Sequence, residues 1–249
     1  MKKTVAGLLC ASFLSACGYV DSKQVARGEF RGDVSLVWVH GGDTSKFGDG
    51  VFIYLPVPGR RLEFFRGESA WVSDGSQHIV PQAFYTDGGS VPRILQAANG
   101  FNAWAYGPAY VIHDWVFVAR KCLTDLENGD VQIEDQDFLA EIKKIENMSF
   151  QESAYVMAET IETVVGDKLA ETNRSRLVSQ ATAGPISHAL WKEKRACEKN
   201  MVPQEKVDEL LNARVRAAFS SRNKSAGSPR TVTTEISGGL KVTFFDLGG

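Results

Sequence analysis

Ala103-Trp104-Ala105-Tyr106-Gly107-Pro108-Ala109-Tyr110-Val111-Ile112-His113-Asp114-Trp115-Val116-Phe117-Val118 is where the chain changes its period. Upstream, apolar residues come in short β-branched and aromatic runs, whereas from here on they recur at helical spacing. Tyr106, Tyr110, Val111, Trp115 and Val118 give an apolar surface nearly all round, which predicts a buried helix beginning near Ala103. Gly107-Pro108 either interrupts that helix or marks its true first turn, because proline fits the start of a helix and not its interior.

Upstream of this helix, Val34 to Val39, Val51 to Leu55, Arg61 to Phe65, Ala70 to Ser73 and Ile79 to Phe84 read as strands separated by glycine, proline and Ser-Asp-Gly turns. Together they predict a small antiparallel meander. Downstream, Glu134 to Glu146 opens with acidic residues that suit the positive end of a helix dipole, and Phe138, Ile142 and Ile145 recur at helical spacing. Ser149-Phe150-Gln151-Glu152 fits a capping box before a helix over Ala154 to Val165. Pro185 to Lys199 and Pro203 to Phe219 read as amphipathic helices covering the core. Ser220 to Pro229 is a polar linker, and Arg230 to Ile236 with Leu240 to Leu247 forms a closing hairpin that can add to the N-terminal sheet. The fold class is α+β, with an antiparallel meander, a helical core layer and a C-terminal hairpin.

The N-terminus addresses the chain. Lys2 and Lys3 precede an apolar stretch, Thr4 to Leu14, that is too short to span a bilayer, and Leu14-Ser15-Ala16-Cys17 follows. This resembles a bacterial lipoprotein signal. The resemblance implies removal of residues 1–16 and acylation of Cys17, and Gly18 in place of aspartate resembles an outer-membrane address. An ordinary cleaved signal or an uncleaved anchor is the alternative. Residues 17–32 read as a polar tether, 33–219 as a single α+β domain, and 220–249 as linker and hairpin. Lipid on Cys17 places the domain in the periplasm, beside phospholipid.

A formal net charge of −2, with both signs interleaved, gives no basic face and excludes nucleic acid as a partner. Of the four cysteines, Cys10 leaves with the signal and Cys17 takes lipid. Cys122 and Cys197 remain, either a disulfide worth about 2–4 kcal/mol in an oxidising compartment or two unrelated buried thiols.

Chemistry is concentrated between Thr86 and Asp137: Asp87 in a glycine turn, His113-Asp114 on the apolar helix, and Asp137 at the head of the next. Calcium takes hard oxygen ligands, and a water nucleophile needs a neutral imidazole held by a second carboxylate. Asp87, Asp114, His113 and Asp137 can fill those roles. Equally, Thr86-Asp87-Gly88-Gly89-Ser90 can be only a turn, and His113 a satisfied core histidine.

Phe84-Tyr85-Thr86-Asp87-Gly88-Gly89-Ser90-Val91-Pro92-Arg93, Ala109-Tyr110-Val111-Ile112-His113-Asp114-Trp115 and Asp135-Gln136-Asp137-Phe138-Leu139 resemble an uncharacterised family common in phage and prophage genomes. That resemblance covers roughly residues 78 to 166 and lends no activity. The same order of parts, with Gly100-Phe101 between them, is similar to the prokaryotic branch of secreted calcium-dependent phospholipases of the A-two class. This second resemblance implies His113 as general base, Asp137 as the residue that orients it, and Asp87, a carbonyl near Gly88 and Asp114 as calcium ligands. Phe117 stands where those enzymes carry a tyrosine that helps hold the orienting aspartate, and their helix disulfides are missing.

Three functions compete at this stage. One is a membrane-anchored, calcium-dependent lipid hydrolase, and another is a non-catalytic lipoprotein that binds an envelope or phage component, such as an exclusion factor. The third is a metal hydrolase using His78 with His113 and Asp114. His40 and His188 have no acidic neighbours at motif spacing.

Overall fold

Both faces of the strand Val34–Val39 are covered, and this fixes the layering of the molecule. In the computed structural model, which describes residues 20–39, 51–68, 71–86, 107–165, 182–220, 230–236 and 240–247, the strands are β1 (Glu29–Arg31), β2 (Val34–Val39), β3 (Val51–Tyr54), β4 (Glu63–Phe65), β5 (His78–Ile79), β6 (Phe84–Thr86), β7 (Arg230–Ile236) and β8 (Leu240–Leu247). The helices are α1 (Gly107–Glu127), α2 (Gln136–Lys143), α3 (Phe150–Val165), α4 (Pro185–Trp191), α5 (Cys197–Asn200) and α6 (Gln204–Ser220). Side chains alternate across a strand. Val34 and Leu36 therefore pack with α1, while Val37 joins Ile53, Leu55 and the α6 residues Val207 and Leu210 on the other face.

The strands form two antiparallel sheets rather than one meander. The smaller has the order β1-β4-β5 and the larger β6-β3-β2-β8-β7. The expected strand over Ile79 to Phe84 is thus two strands in different sheets, and Trp71 to Ser73 is a turn and irregular backbone. Pro81 falls between β5 and β6; it has no N–H to give a ladder, which suits a position where the chain passes from one sheet to the other. The C-terminal hairpin does join the N-terminal sheet, with Val34 opposite Leu247 and Val39 opposite Val242. The α+β class holds.

The expected tether is partly folded onto the body. Val20 is 5% exposed and belongs to a cluster with Ala154, Tyr155, Ala158 and Ala183. The Asp21 N–H donates to the Tyr155 hydroxyl at 3.1 Å, Ser22–Gln24 forms a 3-10 turn capped by Asp21, and Glu29–Arg31 pairs with β4. Three apolar side chains in a polar stretch, Val20, Val25 and Phe30, are enough to dock it.

α1 is buried nearly all round, as its composition requires, and begins at Gly107 with Pro108 in its first turn. α3 starts with half a capping box. Ser149 Oγ accepts the Glu152 N–H at 3.0 Å, but the Glu152 carboxylate turns inward instead of back to the cap. It accepts from Arg66 Nη1 at 2.5 Å, the Ser73 N–H at 2.9 Å and Ser76 Oγ at 2.8 Å. Arg66 also donates to both oxygens of Glu159, at 2.8 and 3.0 Å. The Arg66 and Glu159 side chains are fully buried. Burial pushes the Glu159 carboxyl above its ordinary range, against the pull of Arg66.

The expected helix over Pro185 to Lys199 is two short helices with a break at Glu193 to Ala196. Arg195 there has φ 53°, a left-handed conformation that costs energy for a residue with a Cβ. The buried carboxylate of Asp125 holds the break by accepting from the backbone N–H groups of Arg195, Ala196 and Cys197 at 2.6, 2.7 and 2.8 Å. Beside it Cys122 and Cys197 form a disulfide that ties α1 to α5.

Candidate functional site

Helical geometry decides which of the candidate residues can meet. Residues one and two turns apart share a face of α1, so His113, Phe117 and Lys121 line one side, with Asp114 and Val118 beside them. That face forms the wall of a cavity of about 180 Å³, closed on the other sides by Tyr85 and Thr86 from β6 and by Ser187, Leu190 and Asn200 from the α4–α5 region. His113 is 4% exposed, and its Nε2 has no hydrogen-bond partner among the described residues. Its Nδ1 lies 3.9 Å from Asp114 Oδ1, too far for a hydrogen bond but close enough for a charge on the ring to interact with the carboxylate. The other carboxylate oxygen, Oδ2, accepts from Thr86 Oγ1 at 2.6 Å, which ties β6 to α1 at the cavity.

Phe117 packs its ring against the imidazole with centroids 4.8 Å apart. Farther along the wall, Lys121 Nζ binds Glu193 Oε2 at 2.9 Å, and Glu193 also pairs with Lys199. Lys199 and then Lys121 hold the Glu193 carboxyl below its ordinary range.

Asp137 is not part of this site. It is an exposed residue of the first turn of α2, after the cap residue Asp135, whose carboxylate accepts from the N–H groups of Asp137 and Phe138 at 2.9 and 3.0 Å. The neighbouring Phe138 packs edge-on against Trp115, and Trp115 points about 200° round α1 from His113. Asp137 lines a different cavity with Asp135, Gln82 and Glu198. The expected His113–Asp137 pair is absent because α1 stands between them.

His78 is equally separate: its Nε2 is 3.0 Å from Glu63 Oε2 and its ring stacks on Phe65, in the smaller sheet. His188 packs against Phe150. Asp87, Gly88, Gly100, Phe101, His40, Cys10 and Cys17 lie outside the described residues. No group of three or more His, Cys, Asp or Glu side chains able to hold a metal occurs among the described residues.

Sequence reasoning found His113 and Asp114 and missed Thr86, Lys121, Ser187 and Asn200. Lys121 carried a signal, since it follows His113 at two steps of four along one helix. Ser187 and Asn200 carried none, because only tertiary folding brings α4 and α5 to the cavity.

Trp115 Nε1 and Ser35 Oγ are also buried with no partner among the described residues, but neither residue lines the cavity. An unpartnered buried polar atom costs about 1–3 kcal/mol, so one on a cavity wall calls for an explanation in terms of what enters the cavity.

Residues 68–158 match a family described as "Protein of unknown function (DUF1353)". This is an uncharacterised family, as the motifs suggested, and the match includes β5, β6, α1, α2 and the first half of α3. Arg66 and Glu159 fall just outside it. No curated protein and no solved structure matches the chain.

Proposed function

We propose that the chain is a lipoprotein of the bacterial envelope, acylated at Cys17 and facing the periplasm from the outer membrane, and that the His113–Asp114 cavity hydrolyses lipid esters. The observation that carries the hydrolytic reading is a cavity-lining histidine, His113, whose buried Nε2 has no hydrogen-bond partner among the described residues and whose Nδ1 lies beside the Asp114 carboxylate. The envelope reading is supported by the Cys122–Cys197 disulfide, a bond that persists in oxidising compartments. No helix among the described residues is long and apolar enough to cross a membrane, so attachment in this reading rests on lipid.

In the reaction, the His113 imidazole takes a proton from water as the water oxygen attacks the ester carbonyl. The imidazolium so formed is stabilised by the Asp114 carboxylate, and Thr86 fixes that carboxylate in place. The proton then passes to the departing alkoxide, which returns His113 to its neutral form. Asp114 thus replaces Asp137 as the charge partner. A cavity of about 180 Å³ is small beside the roughly 300–1,000 Å³ of sites that enclose a drug-sized ligand, so it takes the ester group and its first carbons and leaves the acyl chain outside.

Calcium is retained in the proposal as a cofactor, with Asp87, Gly88 and Asp114 as its ligands. Asp87 follows Thr86 directly in the chain, and the Thr86 hydroxyl already touches Asp114. Asp114 alone falls well short of the 6–8 oxygens that calcium takes, so no step is routed through the ion.

Fatty-acid release from phosphatidylethanolamine–phosphatidylglycerol vesicles, with and without millimolar calcium at neutral pH, tests the reading. Wild type should release fatty acid, His113→Ala should release none, and Asp114→Asn should be slower. A folded wild type inactive in both conditions would sink the hydrolase. That result favours the second reading, which the separation of Asp137 from His113 supports: a non-catalytic lipoprotein, of phage or host origin, that binds an envelope component.

A further inference from the structure

Four large apolar side chains are exposed among the described residues: Trp71 at 36%, Ile186 at 76%, Leu190 at 38% and Val215 at 53%. Trp71 borders the cluster to which Val20 belongs, and Ile186 and Leu190 lie on the helix that follows another of its members, Ala183. Trp71 stacks on Tyr155 with centroids 5.0 Å apart, and Tyr155 is packed with Val20 and Ala183. Ile186 follows Ala183 by three residues, and Leu190 lies one turn beyond it on the same side of α4, whose Trp191 is turned inward against Phe117.

That cluster is also where the chain continues toward Cys17, through Val20. Only Gly18 and Tyr19 separate Cys17 from the docked Val20, and three residues span at most about 11 Å. A bilayer holding acyl chains on Cys17 therefore lies within about one helix diameter of Val20. The Asp21 carboxylate lies next to Val20, and two exposed cations stand at the end of α4. Lys192 and Lys194, immediately after α4, are exposed and make no ion pair among the described residues. Apolar side chains flanked by free cations form the surface that an anionic bilayer attracts, through burial of the first and Coulomb attraction to the second.

We infer that the face carrying Trp71, Ile186, Leu190, Lys192 and Lys194 rests on the anionic headgroup layer of the bilayer that holds Cys17. This rests on the lipid anchor proposed above. It also gives the His113 cavity a direction, because Ser187 and Leu190 of the same helix form part of its wall. The cavity then opens against lipid rather than into the periplasm, and its substrate arrives from the membrane that anchors the protein.

The test uses the full, acylated chain reconstituted in phosphatidylethanolamine–phosphatidylglycerol vesicles. With Cys122 and Cys197 paired and Cys17 acylated, a cysteine introduced as Ile186→Cys is the one free thiol and takes a single environment-sensitive NBD label. Val215→Cys, on α6, is the reference. Emission at 186 should shift to the blue and be quenched by spin-labelled lipid, while emission at 215 stays that of water. Replacing phosphatidylglycerol with neutral lipid should weaken the quenching at 186, and an unchanged signal would remove the lysines from the contact. Water-like emission at both positions in anchored protein would overturn the inference and leave the anchor standing. Recovery of the protein in the soluble fraction, with no acyl label on Cys17, would overturn the anchor and the inference together.

Discussion

The Arg66 cluster and the His113 cavity both bury polar side chains, and they differ in how completely those side chains are satisfied. Arg66, with no exposed side-chain area, has Glu152, Glu159, Ser76 and the Trp71 carbonyl around its guanidinium, and every one of these contacts is a hydrogen bond. His113 is nearly as buried, yet its Nε2 has no partner among the described residues, and the residue lines a cavity. A network satisfied in this way fixes structure and has no valence left for anything else. The unsatisfied ring carries the cost of desolvation without a bond in return, which is how a group kept for a ligand or a reacting proton differs from one kept for the fold.

Cutting the satisfied network should have the largest effect. Arg66→Ala leaves two buried carboxylates without their cation, and breaking a buried pair from one side costs about 3–5 kcal/mol. Urea unfolding followed by circular dichroism should show the midpoint fall steeply or the fold lost. A midpoint close to wild type would mean that the cluster is solvated and that the contrast with His113 is false.

The second prediction makes the opposite cut. His113→Leu removes no hydrogen bond that Nε2 makes, so stability should stay within about 1 kcal/mol of wild type while lipid-ester hydrolysis disappears. A loss as large as that of Arg66→Ala would show that the imidazole is satisfied after all and belongs to the core.

The smallest effect concerns the charged rim of the cavity, where Glu193 binds Lys199 and Lys121. These cations lower its pKa in the folded state relative to the unfolded one. Its contribution to stability is therefore present above the ordinary carboxylate range and is lost as the pH falls through the depressed value. Glu193→Gln should cost about 0.2–1 kcal/mol at pH 7, as partly exposed pairs do, and nothing in strong acid. A cost independent of pH would assign Glu193 a packing role instead.

Local signals were readable in the sequence and pairings were not. The β2 boundaries, the proline start of α1 and the Ser149 cap follow from residues within a turn of one another, and all three are present. The split of the strands between two sheets depends on which strand finds which partner, and alternation along a strand carries no record of that. The break between α4 and α5 depends on Asp125, some seventy positions away, and overrides a good amphipathic pattern.

At the site, His113-Asp114 was legible because neighbours on one helix stay neighbours. Asp137 was misplaced because order along the chain says nothing about which side of α1 the next helix packs on. Glu152 read as a capping residue, and only the approach of Arg66 turned it inward.

The place of β8 in the larger sheet bears on how such a chain folds. Strand β2 has β3 on one side, a short distance downstream, and on the other side β8, which follows about two hundred positions later and still lies between β2 and the hairpin partner β7. A polypeptide made from its N-terminus therefore has one edge of β2 bare at first, offering unpaired N–H and C=O groups to any passing strand. Only the arrival of residues 240–247 seals that edge. Completion of the sheet then waits for those residues, and their loss would expose a sticky seam at the centre of the sheet rather than trim its margin.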